Sequence, residues 1–358
     1  MIAAETGIVE VEAGASVGPI AADWDRLADR TGTAPFLRPG WTEAWNDAFG
    51  RGRLELVTAR RDGRLVGLLP VQRRRSIVLS PTNWHTPLFG VLAEDDQARA
   101  DLAGRLFDGG GSRIDLSMLD AADPALEALH ATASRVRYRV VRRTITQPPY
   151  LPLEGSFEDY RAQLSRGLRR EVGRHLRRLG EHGAVEFAFE RGAERLDALL
   201  DEGFAIEGSG WKARSGTAIV SRPETDRFYR GVARWAAARG ALVLAFLRLE
   251  GRPLAFDMCI EEGGVCYVLK GGFDADFRRF APGTLLTHAS IERAYAEGLA
   301  SYELLGTADS YKLAWTRAVH ERVRFQAFSP SPAGQISRLA WTRGRALAKR
   351  VLAAAGRG

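Results

Sequence analysis

Apolar positions recur along this chain at two distinct periods. Phe157, Tyr160, Leu164, Leu168, Val172, Leu176 and Leu179 fall mostly three or four residues apart, which predicts an amphipathic helix with arginines on its other faces. Further on, the pattern predicts a helix over Phe228–Arg239 and apolar strands over Leu242–Leu249, Pro253–Ile260 and Val265–Gly271. A second helix over Leu285–Glu297 and a short strand over Tyr302–Leu305 follow. Residues Pro148 to Pro152 hold three prolines, which stop both ladders and helices, and so mark a hinge.

The same order occurs twice. The segment starting at Leu54 reads against the segment starting at Leu242, with matches at Leu54/Leu242, Leu56/Leu244, Arg60/Arg248, Gly63/Gly251 and Arg64/Arg252, a constant offset of 188. At that offset Ile114-Asp115-Leu116 falls on Tyr302-Glu303-Leu304. Each copy is expected to run helix, strand, tight turn, two further strands, helix and short strand. That order gives an α+β (mixed α/β) fold of two tandem domains, each a mostly antiparallel twisted sheet flanked by helices, with a short parallel stretch where a helix crosses over. The expected division is 1–147, 148–330 and a basic, helical tail 331–358.

Length and composition agree with this division. The chain has 358 residues, more than twice a typical domain of roughly 150, with 45% hydrophobic and 27% charged residues. Two cysteines and six scattered histidines exclude a disulfide framework and show no zinc-site spacing, so no metal is expected. Cys259 and Cys266 flank a hairpin turn and read as reduced packing residues. The N-terminus carries Glu5, Glu10 and Glu12 with no early Lys or Arg, unlike an export signal, and no apolar run is long enough to span a bilayer. The expected compartment is the cytoplasm.

The net charge of +7 is unevenly spread. Arg161 to Arg178 holds seven arginines against one glutamate, and Ser331 to Gly358 holds six Lys or Arg and no acid, leaving a slightly acidic remainder. Two basic elements on an acidic body suit an anionic ligand or surface better than a duplex-binding fold. The tail, with Trp341 as its aromatic, is a candidate for contact with a membrane surface.

The segment Arg278-Arg279-Phe280-Ala281-Pro282-Gly283-Thr284-Leu285-Leu286 carries the clearest chemistry. Pro282 stops the preceding strand, Gly283 admits close backbone approach, and Thr284 is expected to cap a helix whose free N–H groups, with Arg278 and Arg279 upstream, suit a pyrophosphate. In the first copy Glu94, Asp95 and Asp96 occupy the places of Pro282, Gly283 and Thr284, an acidic start that repels phosphate. Asp257, Tyr311 and Lys312 face Leu69, Asp123 and Pro124, so the candidate chemistry is concentrated in the second copy.

These pieces resemble a known family. The order of elements with a pyrophosphate-binding helix start after the third strand looks like the GNAT acyltransferase fold. Glu207-x3-Trp211-Lys212, Pro282-Gly283-Thr284-Leu285-Leu286, Tyr302 to Gly306 and Tyr311-Lys312-Leu-Ala-Trp315 are similar to the paired-GNAT proteins of the CelD/BcsL type, related to the Fem-type peptidyltransferases. The arginine helix, and Pro35-Phe36-Leu37 with Trp41 and Trp45, look like that family too, so the resemblance covers about residues 20 to 330. It implies transfer of an acyl group, in the simplest case acetyl, from acyl-CoA to an amine or hydroxyl by direct attack. The expected acceptor is a sugar or polysaccharide precursor.

Direct attack needs a base and an acid. Glu207, Asp257 and Asp309 are candidate bases and Tyr311 a candidate acid. Arg278, Arg279, Pro282, Gly283, Thr284 and Leu285 are expected to hold the CoA pyrophosphate, and Trp211, Lys212 and Lys312 to bind substrate. Glu303 aligns with Asp115 in the copy that lacks the phosphate turn, which gives both a structural role; Lys270 and His85 also read as structural. Two alternatives remain open: a Fem-like transferase using aminoacyl-tRNA, which the arginine helix accommodates, and a non-catalytic basic module docking on nucleic acid or membrane. The GxSxG at Gly14 to Gly18 comes too early for a nucleophile elbow, and Gly208 to Ala213 lacks the helix a dinucleotide turn needs.

Overall fold

A computed structural model describes residues 17–191, 194–209 and 218–341, and the backbone of residues 8–13. Its fold is α+β, and its contacts divide it into two units. One holds the residues as far as Thr42, Gly50–Ile145 and those from Glu321 onward; the other holds Glu43–Phe49 and Thr146–His320.

The first unit contains β1 (Ile8–Ala13), α1 (Ala21–Thr31), β2 (Arg53–Arg61), β3 (Arg64–Arg74), β4 (Ile77–Leu79), β5 (Leu92–Ala93), α3 (Asp96–Asp108), β6 (Arg113–Asp120), α4 (Ala125–Arg135) and β7 (Arg139–Thr146). Helix α2 (Pro39–Phe49) lies between α1 and β2 in the chain. The sheet order is β1-β2-β3-β4-β6-β14-β7, where β14 is the late strand Arg322–Phe328. Strand β2 is buried on both faces, because α1 covers one with Trp24 and Leu27 and α3 and α4 cover the other with Leu102, Leu106 and Leu129. The expected second domain ran to residue 330, but β14 pairs antiparallel with β6, placing Phe325 opposite Leu116 and closing the first sheet instead.

The second unit contains β8 (Tyr150–Pro152), α5 (Phe157–Gln163), α6 (Arg166–Gly180), β9 (Val185–Glu190), α7 (Leu196–Gly208), α8 (Pro223–Ala238), β10 (Leu242–Leu249), β11 (Arg252–Glu262), β12 (Val265–Phe273), α9 (Pro282–Ala296), β13 (Ser301–Glu303) and the short α10 (Ser310–Leu313). The sheet order is β8-β13-β12-β11-β10-β9. The predicted arginine helix forms as two pieces, α5 and α6, each with its own serine cap: Ser156 accepts from Asp159 N and Ser165 from Leu168 N. Leu168, Val172, His175 and Leu179 of α6 face the core. Cys259 and Cys266 are buried, free thiols in that core.

The duplication extends to backbone detail. Both β2–β3 and β10–β11 carry a register shift, at Ala59/Arg60 and at Leu247/Arg248, the same position at offset 188. The parallel pairs also share register: Ile77 lies opposite Arg113 in β4–β6, and Val265 opposite Ser301 in β12–β13. Left-handed residues recur in step, with φ of 51° and 49° at Asp62 and Glu250, and 63° and 66° at Met118 and Gly306. Two sequences with few identities thus adopt one path.

Candidate functional site

The site begins where two parallel strands part. Pairing of β12 with β13 ends at Tyr267 opposite Glu303, while β12 continues to Phe273. Beyond β13 the left-handed residues Leu305 and Gly306 turn the chain away, so among the described residues the last six of β12 keep β11 on one edge and have no strand on the other. The wedge so opened is a cavity of about 730 Å³ in the second unit.

Two carboxylates reach this wedge through glycines. A Cβ at Gly271 would lie 1.8 Å from Asp257 Oδ1, and one at Gly272 would lie 2.6 Å from Glu207 Cα. Successive strand residues point to opposite faces, so Gly271 and Gly272 admit Asp257 and Glu207 to β12 from its two sides. Helix α7 packs close for a related reason: a Cβ at Gly203 would overlap the Phe256 ring at 2.4 Å. The Glu207 carboxylate is 1% exposed and accepts the Ile219 N–H at 2.9 Å. Burial and that carboxylate push the Tyr229 hydroxyl well above its ordinary pKa, and the Lys270 ammonium sits 5.5 Å from the Tyr229 ring.

On the far side lies the start of α9. A short 3-10 helix, Ala275–Phe280, ends in Ala281 at φ 48°, and α9 begins at Pro282. No side chain caps it. Thr284, expected as the cap, stands inside the first turn, because Pro282 starts the helix two residues earlier. Gly283, Thr284 and Thr287 line the cavity together with Arg278, which has no carboxylate partner among the described residues. The first copy solves the same problem differently: Asp95 caps α3 by accepting from Ala98 N at 2.8 Å.

Tyr311 and Lys312 enter from α10. Partial loss of water, then the Asp309 and Asp257 carboxylates, push the Tyr311 hydroxyl up to about 12 although much of the residue is exposed. Lys312 Nζ donates to Leu305 O at 2.6 Å and stands where a Cβ at Gly306 would be 2.9 Å away.

Of the residues named from sequence, Glu207, Asp257, Tyr311, Arg278, Gly283, Thr284 and Lys312 line this one cavity. The others lie elsewhere. Pro282 and Leu285 are buried residues of α9, Arg279 stacks on the Phe280 ring at 4.7 Å, and Asp309 stands before α10 accepting from Thr307 Oγ1. Trp211 and Lys212 lie outside the described residues. Lining residues not singled out as functional include Lys270, Gly271, Gly272, Thr287 and Tyr302. Their signal was present: paired glycines inside an apolar strand mark close approach of another group. Glu303 accepts from His320 Nε2 at 3.1 Å and Asp115 pairs with Arg324 at 2.6 Å, so both aligned carboxylates tie the strand to a later segment. Among the described residues no cluster of His, Cys, Asp and Glu is placed to hold a metal ion, and no helix is long and apolar enough to cross a membrane.

Residues 166–313 match the family model of an acetyltransferase (GNAT) domain. The matched segment is similar to a GNAT-type acetyltransferase domain. It spans α6 to α10 and contains every residue that lines the wedge except Trp315. Comparison with curated proteins finds no match. Among solved structures, a tandem GNAT protein from the clavulanic acid biosynthesis pathway is 13% identical, with a TM-score of 0.50 over 90% of this chain and 100% of that one. FemX is 13% identical, with a TM-score of 0.61 over 91% and 99%; L-PGS from Bacillus licheniformis is 12% identical, with 0.58 over 93% and 98%. These likenesses are of fold: two tandem GNAT-like sheets, each flanked by helices.

Proposed function

We propose that this protein moves an acyl group from a CoA thioester to an amine or hydroxyl of an acceptor by direct attack. The observation that carries the reading is the wedge itself, which sets an uncapped helix start with Arg278 beside two carboxylates and a tyrosine. The N–H groups of Gly283 and Thr284 and the Arg278 guanidinium would bind the pyrophosphate. Asp257 or Glu207 accepts the proton of the attacking N–H or O–H, the carbonyl becomes tetrahedral, and the C–S bond breaks. Magnitude decides the role of Tyr311. With its pKa near 12 against roughly 8.5 for an ordinary thiol, the phenol does not give up its proton to the departing thiolate. It donates a hydrogen bond that stabilises the thiolate, which then takes its proton from solvent. Following the CelD/BcsL-type resemblance, we propose a sugar or polysaccharide precursor as the acceptor.

Calorimetric titration of CoA and acetyl-CoA into the wild type and Gly283→Glu tests this reading. A Cβ at Gly283 meets only Phe273, at 3.4 Å, so the variant folds. Its carboxylate imitates the acidic start of the first copy, and binding should fall at least tenfold. Absence of binding to the wild type would overturn the reading. A second reading has its own observation: Arg166, Arg169, Arg170, Arg174, Arg177 and Arg178 of α6 are exposed and form no ion pair among the described residues. A transferase using aminoacyl-tRNA would engage that face, with affinity falling steeply as salt rises.

A further inference from the structure

The arginine helix is built against its own stability. Arg166, Arg170, Arg174 and Arg178 follow one another at four-residue intervals with Arg169 and Arg177 beside them, so like charges stand one turn apart along about 18 Å of exposed helix. None of the six pairs with a carboxylate among the described residues, and Glu171, the helix's one acid, faces His175. The first turn holds no acid either, so Arg166 and Arg169 sit at the positive end of the helix dipole. Elsewhere in the second unit the fold supplies partners: Arg230, Arg234, Arg248, Arg252 and Arg293 each meet a carboxylate at 2.5–2.9 Å. The packing of α6 is accounted for by Leu168, Val172, His175 and Leu179, and does not require arginines on the opposite face.

The C-terminal end of this helix adjoins the corner proposed to bind pyrophosphate. Helix α6 packs on α9 and on the 3-10 helix Ala275–Phe280, and His182, just beyond its last turn, meets the Phe280 ring edge-on at 5.1 Å. The Arg279 guanidinium covers the same ring at 4.7 Å. Arg278, one residue before it, lines the cavity. The row of arginines on α6 thus leads to the two arginines at the mouth of the wedge.

We propose that the acyl group reaches this site on an acidic carrier protein, whose carboxylates pair with the arginine face of α6 while its phosphopantetheine arm enters the wedge. The proposal rests on the acyl-thioester reading above and changes only what bears the thioester. The arm's phosphodiester would meet the N–H groups of Gly283 and Thr284 and the Arg278 guanidinium. The acceptor nitrogen or oxygen then bonds to the acyl carbon, its proton passes to the base, the C–S bond breaks, and the carrier leaves as a thiolate that takes a proton from solvent. Free CoA brings one further phosphate, on its ribose, which cannot engage a stripe of about 18 Å. A lipid surface fits less well, because the apolar face of α6 is taken by the core, which leaves only Leu176, 39% exposed, among the arginines. RNA also fits less well, because α6 holds no Phe, Tyr or Trp on which an unpaired base could stack. A protein surface with Asp and Glu one helical turn apart matches the guanidinium forks without either requirement.

The test is calorimetric titration of acetyl-CoA, and of a purified acidic acyl carrier protein in its holo and acetylated forms, into the full chain and the double variant Arg170→Glu/Arg174→Glu, at low and at physiological salt. The wild type should bind both carrier forms, less tightly as salt rises. The double variant should bind them at least tenfold more weakly, with acetyl-CoA affinity unchanged. Its thermal midpoint should not drop, because the reversed charges stand one turn from Arg166 and Arg178. Absence of carrier binding, or carrier binding that the double variant keeps, overturns the proposal, while acetyl-CoA binding upholds the acyl-CoA reading. Tighter binding of tRNA or of phosphatidylglycerol vesicles than of the carrier, lost in the double variant, assigns the face to RNA or lipid and overturns the proposal as well. Carrier binding without acetyl-CoA binding upholds the proposal and removes free CoA as the donor. Absence of binding by the carrier and by acetyl-CoA overturns both.

Discussion

Replacing Gly271 and Gly272 separately by alanine should give opposite signatures, although they are neighbours on one strand. At Gly272 the added Cβ meets helix backbone, with Glu207 Cα at 2.6 Å and its Cβ and Cγ at 3.2 and 3.3 Å. Backbone cannot rotate aside, so α7 must move from β12, and overpacking of this kind costs about 2–3 kcal/mol. For a unit of this size that is a midpoint lower by roughly 5–10 °C. At Gly271 the clash is closer, 1.8 Å, but it is with Oδ1 at the far end of the Asp257 side chain, and the nearest backbone atom, Phe256 O, is at 3.2 Å rather than 2.6 Å. The carboxylate can swing away. Stability should change by less than about 1 kcal/mol, while the group proposed to accept the acceptor's proton leaves its place and turnover falls about 10²-fold. Differential scanning calorimetry gives the first quantity. Release of CoA thiol from acetyl-CoA, with whichever acceptor supports turnover, gives the second. Neither position has a left-handed φ, so backbone strain does not confuse the comparison. Equal destabilisation by the two variants, or full turnover by Gly271→Ala, would refute the argument that these glycines admit the carboxylates from opposite faces.

Three further expectations follow from the geometry. Tyr311→Phe should lower kcat by about 10- to 100-fold with CoA affinity unchanged, and the wild-type pH–rate profile should show no falling limb from this group below about pH 11, since its hydroxyl is held near 12. Burial holds His175 and His288 below their usual pKa of 6.5. Their neutral forms therefore contribute stability that is present above pH 6.5 and lost as pH falls through the lower folded values; chemical denaturation from pH 7.5 to 4.5 should show that loss, reduced in His288→Gln. Gly306→Ala combines a left-handed φ of 66° with a contact 2.9 Å from Lys312 Nζ, and should cost about 1–2 kcal/mol, a loss that Lys312→Ala partly restores in the double variant.

The strands were legible because alternation and turn residues are local. Arg252–Glu262 and Leu242–Leu249 form close to where the apolar runs place them, and the offset of 188 carries over to register and to a shared bulge. What sequence reading misassigned depends on long-range pairing. Strand Arg322–Phe328 falls inside the expected second domain of 148–330, but its partner is Arg113–Asp120, some two hundred residues earlier. In the second sheet the matching place beside Ser301–Glu303 is taken by Tyr150–Pro152, from the proline-rich hinge. Within the site, the carboxylates were found by residue type, but Lys270 and Tyr302 were not. A lysine or tyrosine in a strand carries no mark of which face it takes until the neighbouring glycines and the splay of β12 from β13 are known.

The two helix starts show how one backbone serves two purposes. In the first copy Asp95 caps α3 and pairs with Arg61, whose hydrogen bond holds the carboxyl below its usual range, while Glu94 engages Arg30 and Arg64 at the same corner. Positive helix ends and arginines are thus neutralised from within the chain, and no anion is needed. In the second copy the corresponding residues are Pro282 and Gly283, no side chain caps α9, and Arg278 has no acidic partner among the described residues. The fold tolerates either solution, since both helices form. That difference is the one the proposed acyl-CoA reading uses, since an uncapped helix start beside an arginine with no acidic partner suits an anion from outside the chain.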